Sequence, residues 1–285
     1  GFDWQNAVNV PLMVEGEQTI TPRLFVALFP NDAPMDVKVE GDAPEEQGIR
    51  IKGIIQHHFR VADVPGECYP AMTQCSLLGT GYVEGGQWFI RKGWQIDNKE
   101  ERYFVPIEKR PDAKFVNWFE LYPHPAKMRM NDTLPIIRKR YIDAETLKKL
   151  AVDSQWDAKK LKEALDSECP AYTESKYKGT RQKEYEILEY WGPWDESFED
   201  DNGEEKKRIA VPYWIIVVNR SVRLRGIPNP YNHQMPPYCK IKLFEDPQPC
   251  WFGVGIGQVG KPTQDRINKI VNQRLDNVDL VLNKQ

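Results

Sequence analysis

The spacing of apolar and polar residues predicts that the first third of the chain is mainly helical. Residues 15–29 and 45–62 have apolar side chains at helical spacing, and Pro22 either starts or interrupts the first of these helices. In the second segment, one apolar stripe consists of Ile51, Ile54, Ile55 and Phe59. A third helix is predicted over residues 67–78, because the small residues that begin at Gly79 are typical of a helix end.

The pattern then changes to one that favours strands. Residues 81–94 contain Gly85-Gly86 between two β-prone runs, which predicts a hairpin that turns at these glycines. Further strands are predicted at residues 102–110 and 117–123.

Helices and strands follow one another in the middle of the chain. Residues 143–166 are predicted to be helical, with Asp143 and Asp157 as N-caps. A strand is predicted at residues 183–194, and the acidic stretch after it is interpreted as a solvated hairpin tip that turns at Asn202-Gly203.

A further strand pair, residues 211–225, is predicted to close through Asn219-Arg220. Its return strand alternates apolar residues, Val222 and Leu224, with arginines, so one face should be buried and the other wet. Because the strands come in adjacent hairpins rather than alternating with helices, the predicted fold class is α+β with antiparallel sheet.

Near the end of the chain, residues 255–260 (GIGQVG) match the dinucleotide-binding pattern G-x-G-x-x-G. That pattern works only between a buried strand and a helix. Pro247 and Pro249 are unfavourable for such a strand, and Pro262, at the expected start of the helix, removes an amide that would face a phosphate. A nucleotide- or NAD-binding enzyme that uses these glycines is therefore the alternative hypothesis, and no catalytic residue, metal ligand or cofactor is predicted.

From Thr263 the chain is predicted to form a helix of about 23 residues, roughly 34 Å long. Its apolar side consists of Ile267, Ile270, Val271, Leu275, Val278 and Leu282. The opposite side consists of Asp265, Lys269, Asn272, Asp276, Asp279 and Asn283. Arg266, Gln273, Asn277 and Lys284 form a polar flank between the two. Such a helix can pack on its own domain or against neighbouring copies, and the pattern leaves both possibilities open.

Composition narrows the classes of function. The formal net charge of -3 argues against tight binding of nucleic acid along a broad basic face. The five cysteines form no Cys-x-x-Cys pair, which favours free thiols over a metal site or a disulfide framework. No apolar run reaches about 20 residues, so no membrane span is expected. The chain starts at Gly1 rather than at a methionine, which favours a piece of a longer protein.

Several motifs occur in a fixed order from residue 229 onward. An NPY-H---P turn is formed by Asn229-Pro230-Tyr231, His233 and Pro236-Pro237. An aromatic-Gly-x-Gly elbow follows at Phe252-Gly253-Val254-Gly255, and a Q--IN---NQRLDNV pattern occupies residues 264–278. In these features the chain resembles the portal (head-tail connector) proteins of tailed bacteriophages.

The resemblance continues upstream, where it is weaker. Residues 10–30 are similar to the opening wing helix of portal proteins, and residues 77–89 resemble their small-residue exit into a strand. Residues 117–132 resemble a passage that commonly carries a D-Y-DP motif, from which this sequence departs at residues 120–125.

The resemblance implies an α+β wing domain over residues 1–255, then a glycine elbow and the first tunnel-forming stem helix over residues 256–285. The clip, the second stem helix and the crown would follow Gln285. It further implies a non-enzymatic subunit of a closed ring of about twelve copies, assembled in the bacterial cytoplasm and located at the unique capsid vertex of the virion. An unrelated phage adaptor or capsid component is a further alternative.

The resemblance also implies partners and contact residues. Double-stranded DNA would pass non-specifically through the ring, and terminase, major capsid or scaffolding protein, and head-completion or tail adaptor proteins would bind it. The elbow consists of Gly253, Gly255, Gly257 and Gly260. The candidate DNA-facing residues are Lys261, Arg266, Lys269 and Arg274, which can instead pair with acidic residues on the same or adjacent helices. The chain has no Walker-type loop, so ATP hydrolysis is expected in a separate terminase.

Overall fold

The computed structural model describes residues 6–30, 35–41, 44–96, 102–153, 156–167, 184–199, 205–248 and 250–282. Within these residues, helices combine with two antiparallel sheets, which confirms the predicted α+β class. The helices are α1 (Leu12–Leu28), α2 (Glu45–Val61), α3 (Val64–Leu78), α4 (Ala144–Asp153), α5 (Ala158–Asp166) and α6 (Ile256–Leu282). The strands are β1 (Thr80–Ile96), β2 (Arg102–Val116), β3 (Leu121–Pro123), β4 (Ile136–Asp143), β5 (Glu184–Glu199), β6 (Glu205–Val218), β7 (Val222–Pro228) and β8 (Tyr238–Lys242).

The three N-terminal helices lie where the apolar spacing predicts them. Pro22 lies inside α1 rather than at its start. α3 ends at Gly79, whose φ of 90° is a left-handed conformation that glycine adopts without strain. The apolar stripe of α2 is only partly covered, because Ile51 and Ile54 are exposed.

The first sheet has the strand order β2-β1-β8. The predicted hairpin turn at Gly85-Gly86 is wrong, because β1 continues through both glycines and pairs with β2 as far as Ile96, opposite Arg102. The glycines instead form a bulge, where the register shifts between Glu84 and Gln87 and Gly86 has a φ of 74°. Two glycines between β-prone runs are compatible with a turn or with a bulge. Here they form a bulge, because β2 is long enough to pair with β1 on both sides of the glycines.

The second sheet has the order β3-β4-β5-β6-β7. The predicted closure of its last hairpin is confirmed, since Asn219 and Arg220 have φ of 49° and 58°. Val222 and Leu224 are buried as predicted. The turn predicted at Asn202-Gly203 lies outside the described residues. The described pairing of β5 with β6 extends as far as Glu199 opposite Glu205.

Local capping explains the elements between the two sheets. The strand predicted over residues 117–123 is shorter than expected, because the Asn117 side chain accepts a hydrogen bond from Phe119 N at 3.0 Å and starts a 3-10 turn. α4 and α5 begin after their predicted N-caps, Asp143 and Asp157, whose carboxylates accept backbone N–H groups of the first turn.

Two apolar clusters form the core. The first packs α4 and α5 on the second sheet, and its buried members include Leu147, Ala164, Tyr185, Ile187, Ile216 and Val218. The second cluster lies where the two sheets meet and consists of Tyr82, Val116, Leu121, Ile136, Trp191, Tyr238 and Trp251. A buried ion pair crosses this junction, because Arg138 on β4 contacts Glu84 on β1 at 2.6 Å. Arg138 also contacts Glu120 at 3.2 Å.

α6 begins at Ile256, earlier than the start predicted at Thr263. Val259 N donates to the Gly255 carbonyl at 3.2 Å, so the first turn starts within the predicted elbow, and Gly257 and Gly260 lie inside the helix. Pro262 therefore lies inside the helix rather than at its first position, and it removes one intrahelical hydrogen bond there. Across the described ranges, no helix combines the length and the apolar character that crossing a membrane requires.

Candidate functional site

The glycine elbow joins the first sheet to α6 by contact between backbones. Gly253 N donates to the buried Thr80 hydroxyl at 2.8 Å, and Leu243 N donates to the Gly79 carbonyl at 3.2 Å. A Cβ on Gly253 would overlap the Gly79 carbonyl, and a Cβ on Gly255 would overlap the Leu77 carbonyl. These two glycines are thus required because the end of α3 lies directly against the elbow.

The same contacts bear on the nucleotide-binding alternative. A phosphate cradle needs open space in front of its glycines, and it needs a preceding strand that feeds the helix. Here Gly255 and Gly257 face the backbone at Leu77. β8 ends at Lys242, and among the described residues the segment after it is linked to the elbow by one isolated bridge, between Phe244 and Val254. No feature of this geometry favours a dinucleotide site.

An extended N-terminal segment, residues 6–10, lies along α6, and we call it the strap. Asn268 Oδ1 accepts from Val10 N at 3.0 Å. Asn272 Oδ1 accepts from Val8 N at 2.8 Å, and its Nδ2 donates to Val8 O at 3.1 Å. Further along, Asp276 Oδ1 accepts from Asn6 N at 2.7 Å.

The strap fits α6 because two repeat distances agree. Every fourth residue of an α-helix advances by about 6 Å, and every second residue of an extended chain advances by about 6.6 Å. The strap runs antiparallel to the helix. The backbone N–H groups of residues 10, 8 and 6 therefore donate, in that order, to the side chains of residues 268, 272 and 276. Sequence reasoning missed this contact, although three amide or acid side chains at a spacing of four are a usable signal.

The side of α6 that was expected to be opposite the apolar stripe is thus partly covered. Asp279 Oδ2 also accepts from the Asn6 side chain, at 2.7 Å. The side chains of Asn272, Asp276 and Asp279 therefore all accept hydrogen bonds from the strap. We call this the strap side of the helix.

The four candidate basic residues are all exposed and do not share one narrow face. At about 100° per residue, Arg266, Lys269 and Arg274 spread over about 140°, and Lys261 points about 80° away from the nearest of them, toward the strap side. Within the described part of the chain, none of the four has an acidic side chain at salt-bridge distance. The alternative in which they pair with acidic residues of the same helix therefore has no support in the monomer.

The predicted apolar stripe divides into a covered and an uncovered part. Near its start, α6 packs on α1 and α3, and a Cβ on Gly260 would overlap the Met13 side chain. Ile267 and Val271 are half-buried. The exposed members are Ile270, Leu275, Val278 and Leu282, together with Val281, which sequence reasoning did not single out. Leu280 is also exposed, but at about 100° per residue it lies beside Gln273 rather than in the stripe.

Comparison with known proteins adds no family to these observations. Neither the protein-family models nor the curated proteins gave a match to this chain.

Proposed function

We propose that this chain is the wing and first stem helix of a portal subunit, the ring-forming structural protein of a tailed bacteriophage. The observation that carries the proposal is α6, a 27-residue helix whose strap side is occupied by its own chain while the apolar side of its outer half is exposed. The motifs from residue 229 onward, which resemble portal proteins, agree with this reading.

An exposed apolar helix side of this kind suits a ring. A closed ring uses one interface repeated head to tail, so each copy must offer two different surfaces that fit one another. Val278 and Leu282 are 53% and 67% exposed, and burying them against the next copy would remove apolar surface from water. The strap cannot cover them, because it lies on another side of the helix.

The three sides of α6 would then have separate tasks. The strap side binds residues 6–10, and the apolar side contacts the neighbouring subunit. The remaining side exposes Arg266, Gln273 and Asn277, which lie within about 40° of one another around the helix. We assign this third side to the channel. Lys269 borders it, whereas Lys261 lies toward the strap and is assigned no DNA contact.

DNA moving through such a channel must slide without being held. Sparse basic side chains give weak, sequence-independent contacts with phosphates, and about twelve chains of net charge -3 give a ring of about -36. In this proposal the ring is a passive conduit at the capsid vertex of the virion. A separate ATP-driven terminase moves the DNA, and head-completion or tail adaptor proteins bind the ring afterwards.

Negative-stain electron microscopy of the full-length protein tests the proposal. We expect rings of about twelve copies with an axial hole that admits duplex DNA. Monomers or dimers at every concentration, in the presence of scaffolding protein as well, would contradict it. A compact oligomer without an axial hole would favour an adaptor or capsid component instead.

Two matched variants test the assignment of the helix sides. Val278→Asp places a charge on the apolar side and should abolish the rings, whereas Gln273→Asp places the same charge on the third side and should leave them intact. Loss of rings in both variants, or in neither, would contradict the assignment while leaving the ring itself to be judged by the wild-type images.

A further inference from the structure

A groove lies beside β8, which is an edge strand of the first sheet. Lys240 and Lys242 are two residues apart on this strand and therefore lie on the same face. The residues that line the groove are Met128, Arg129, Met130, Lys240, Lys242, Glu245 and Cys250. None of them belongs to the elbow or to α6, so the proposed function makes no use of this groove.

Both ammonium groups are held in place by backbone carbonyls. Lys240 Nζ donates to Met128 O at 2.8 Å and to Trp251 O at 3.2 Å, and it lies 3.9 Å from the centroid of the Trp251 ring. Lys242 Nζ donates to Cys250 O at 3.0 Å and to Glu245 Oε2 at 3.3 Å. An ammonium has three N–H donors, and among the described residues each lysine uses two of them on oxygen acceptors, so one donor of each is available to a ligand.

Positive charge in the groove exceeds negative charge. Three cationic side chains line it, and Glu245, which is largely exposed, is the one carboxylate among the lining residues. In the described part of the chain, Lys240 has no carboxylate at salt-bridge distance. Burial, together with the neighbouring Lys242 ammonium, lowers the pKa of Lys240 to about 8.

We propose that this groove binds a phosphate-like oxyanion, either as a free ion or as a phosphodiester of nucleic acid. The remaining N–H donors of Lys240 and Lys242 would each contact an oxygen, and Arg129, which also lines the groove, would add its planar pair of donors. Because the lysines are held by the carbonyls of Met128, Cys250 and Trp251, little ordering of side chains accompanies binding.

Binding should depend on pH through Lys240. The groups that face this ammonium are Lys242 on β8, Asp132 on the loop before β4, and Glu245 and Cys250 after β8. The pKa of Lys240, about 8, lies in the range in which the ammonium loses its proton just above neutral pH. Affinity is therefore expected to be high below pH 8 and to fall above it, as Lys240 loses its proton. Sulfate is the appropriate probe for this series, because its own charge does not change in that range.

The test uses thermal melting of the full chain in sulfate and in inorganic phosphate, against chloride at equal ionic strength. The double variant Arg129→Gln, Lys242→Gln removes two positive charges from the groove and should weaken the apparent affinity for both anions at least tenfold. The control, Lys148→Gln with Lys149→Gln, removes the same charge from the exposed side of α4. Lys240 is left in place because its carbonyl contacts support the fold.

A parallel titration with a labelled duplex oligonucleotide distinguishes the two sources of the ligand. Oligonucleotide binding that the groove variant abolishes and the control retains would assign a phosphodiester, and a response to the small anions alone would assign a free oxyanion. Equal losses in both double variants, or no response to any of the probes, would overturn the proposal. Affinity that stays constant from pH 7 to about 9 would overturn the role of Lys240.

Discussion

At the junction of the two sheets, Tyr82 and Ile136 are completely buried. At the elbow, a Cβ on Gly253 or on Gly255 would overlap backbone atoms at the end of α3. On the outer half of α6, Val281 and Leu282 are 72% and 67% exposed, although they belong to the same continuous helix as the covered first half. In the monomer, apolar side chains are thus buried at the junction and remain exposed on the outer half of α6. In the proposed ring, the neighbouring copy would cover the outer half of the helix.

The largest effect is expected at the ion pair of the junction. Arg138→Met removes the cation between Glu84 and Glu120, and with it the buried ion pair to the Glu84 carboxylate. Breaking a buried pair in this way costs about 3–5 kcal/mol in the free energy of unfolding. Urea denaturation of the variant measures this loss.

A double variant and an exposed pair complete that experiment. Arg138→Met combined with Glu84→Gln should lose less stability than Arg138→Met alone, because the buried negative charge is then removed as well. Arg50→Met, in an exposed pair with Glu46, should change stability by less than about 0.5 kcal/mol. A loss at Arg138 no larger than at Arg50 would show that the junction is not the closed interior described above.

The next effect is expected at the elbow. Gly255→Ala places a methyl group against the Leu77 carbonyl and the Gly79 amide, which cannot move without shifting α3. We expect a loss of about 1–3 kcal/mol, the usual range for overpacking. Gly53→Ala is the matched control, because nothing lies within 4 Å of a Cβ there, in the middle of α2. The control should be stabilised by about 0.5–1 kcal/mol, because alanine has the higher helix propensity. Thermal or urea unfolding measures both variants, and a change of the same sign in the free energy of unfolding of the two would contradict this explanation.

Much of the fold follows from local chemistry that the sequence displays. The caps at Asp143 and Asp157 and the turn at Asn219-Arg220 each depend on a few adjacent residues, and all three were predicted. The role of Gly85-Gly86 depends on the length of β2, which no local signal gives. Gly257 was predicted to belong to the elbow before the helix, but it lies in the first turn of α6, against Leu77 of α3.

The candidate site was predictable to a smaller extent. The helix and its apolar stripe follow from periodicity, but periodicity does not tell which members are covered: Ile267 and Val271 are half-buried, whereas Ile270 and Leu275 are exposed. The strap joins Asn6 to Asp276, 270 positions apart in the sequence. Periodicity within one helix carries no information about a contact of that range.

An intermediate effect is expected at the strap. Asn272→Ala removes both hydrogen bonds to Val8 and should lower the free energy of local opening by about 1 kcal/mol. Faster hydrogen exchange of the Val8 amide, with unchanged exchange in β5, is the expected reading. Asn277→Ala on the exposed third side should leave the exchange of Val8 unchanged. Equal acceleration in both variants would mean that helix content, rather than the strap contact, had changed.

The smallest effect is expected at the exposed end of α6. It tests most directly the difference between the buried junction of the sheets and the exposed outer half of this helix. Val281→Ala should change the unfolding free energy of the monomer by less than about 0.5 kcal/mol, because the side chain is 72% exposed. The same substitution at the fully buried Val116 should cost about 2 kcal/mol through lost burial and a cavity. Dilute samples below the assembly concentration give the monomer values, and concentrated samples give those of any oligomer. If Val281→Ala destabilises only the concentrated protein, α6 is completed by another copy, whereas an equal loss at high dilution would place its partner within the same chain.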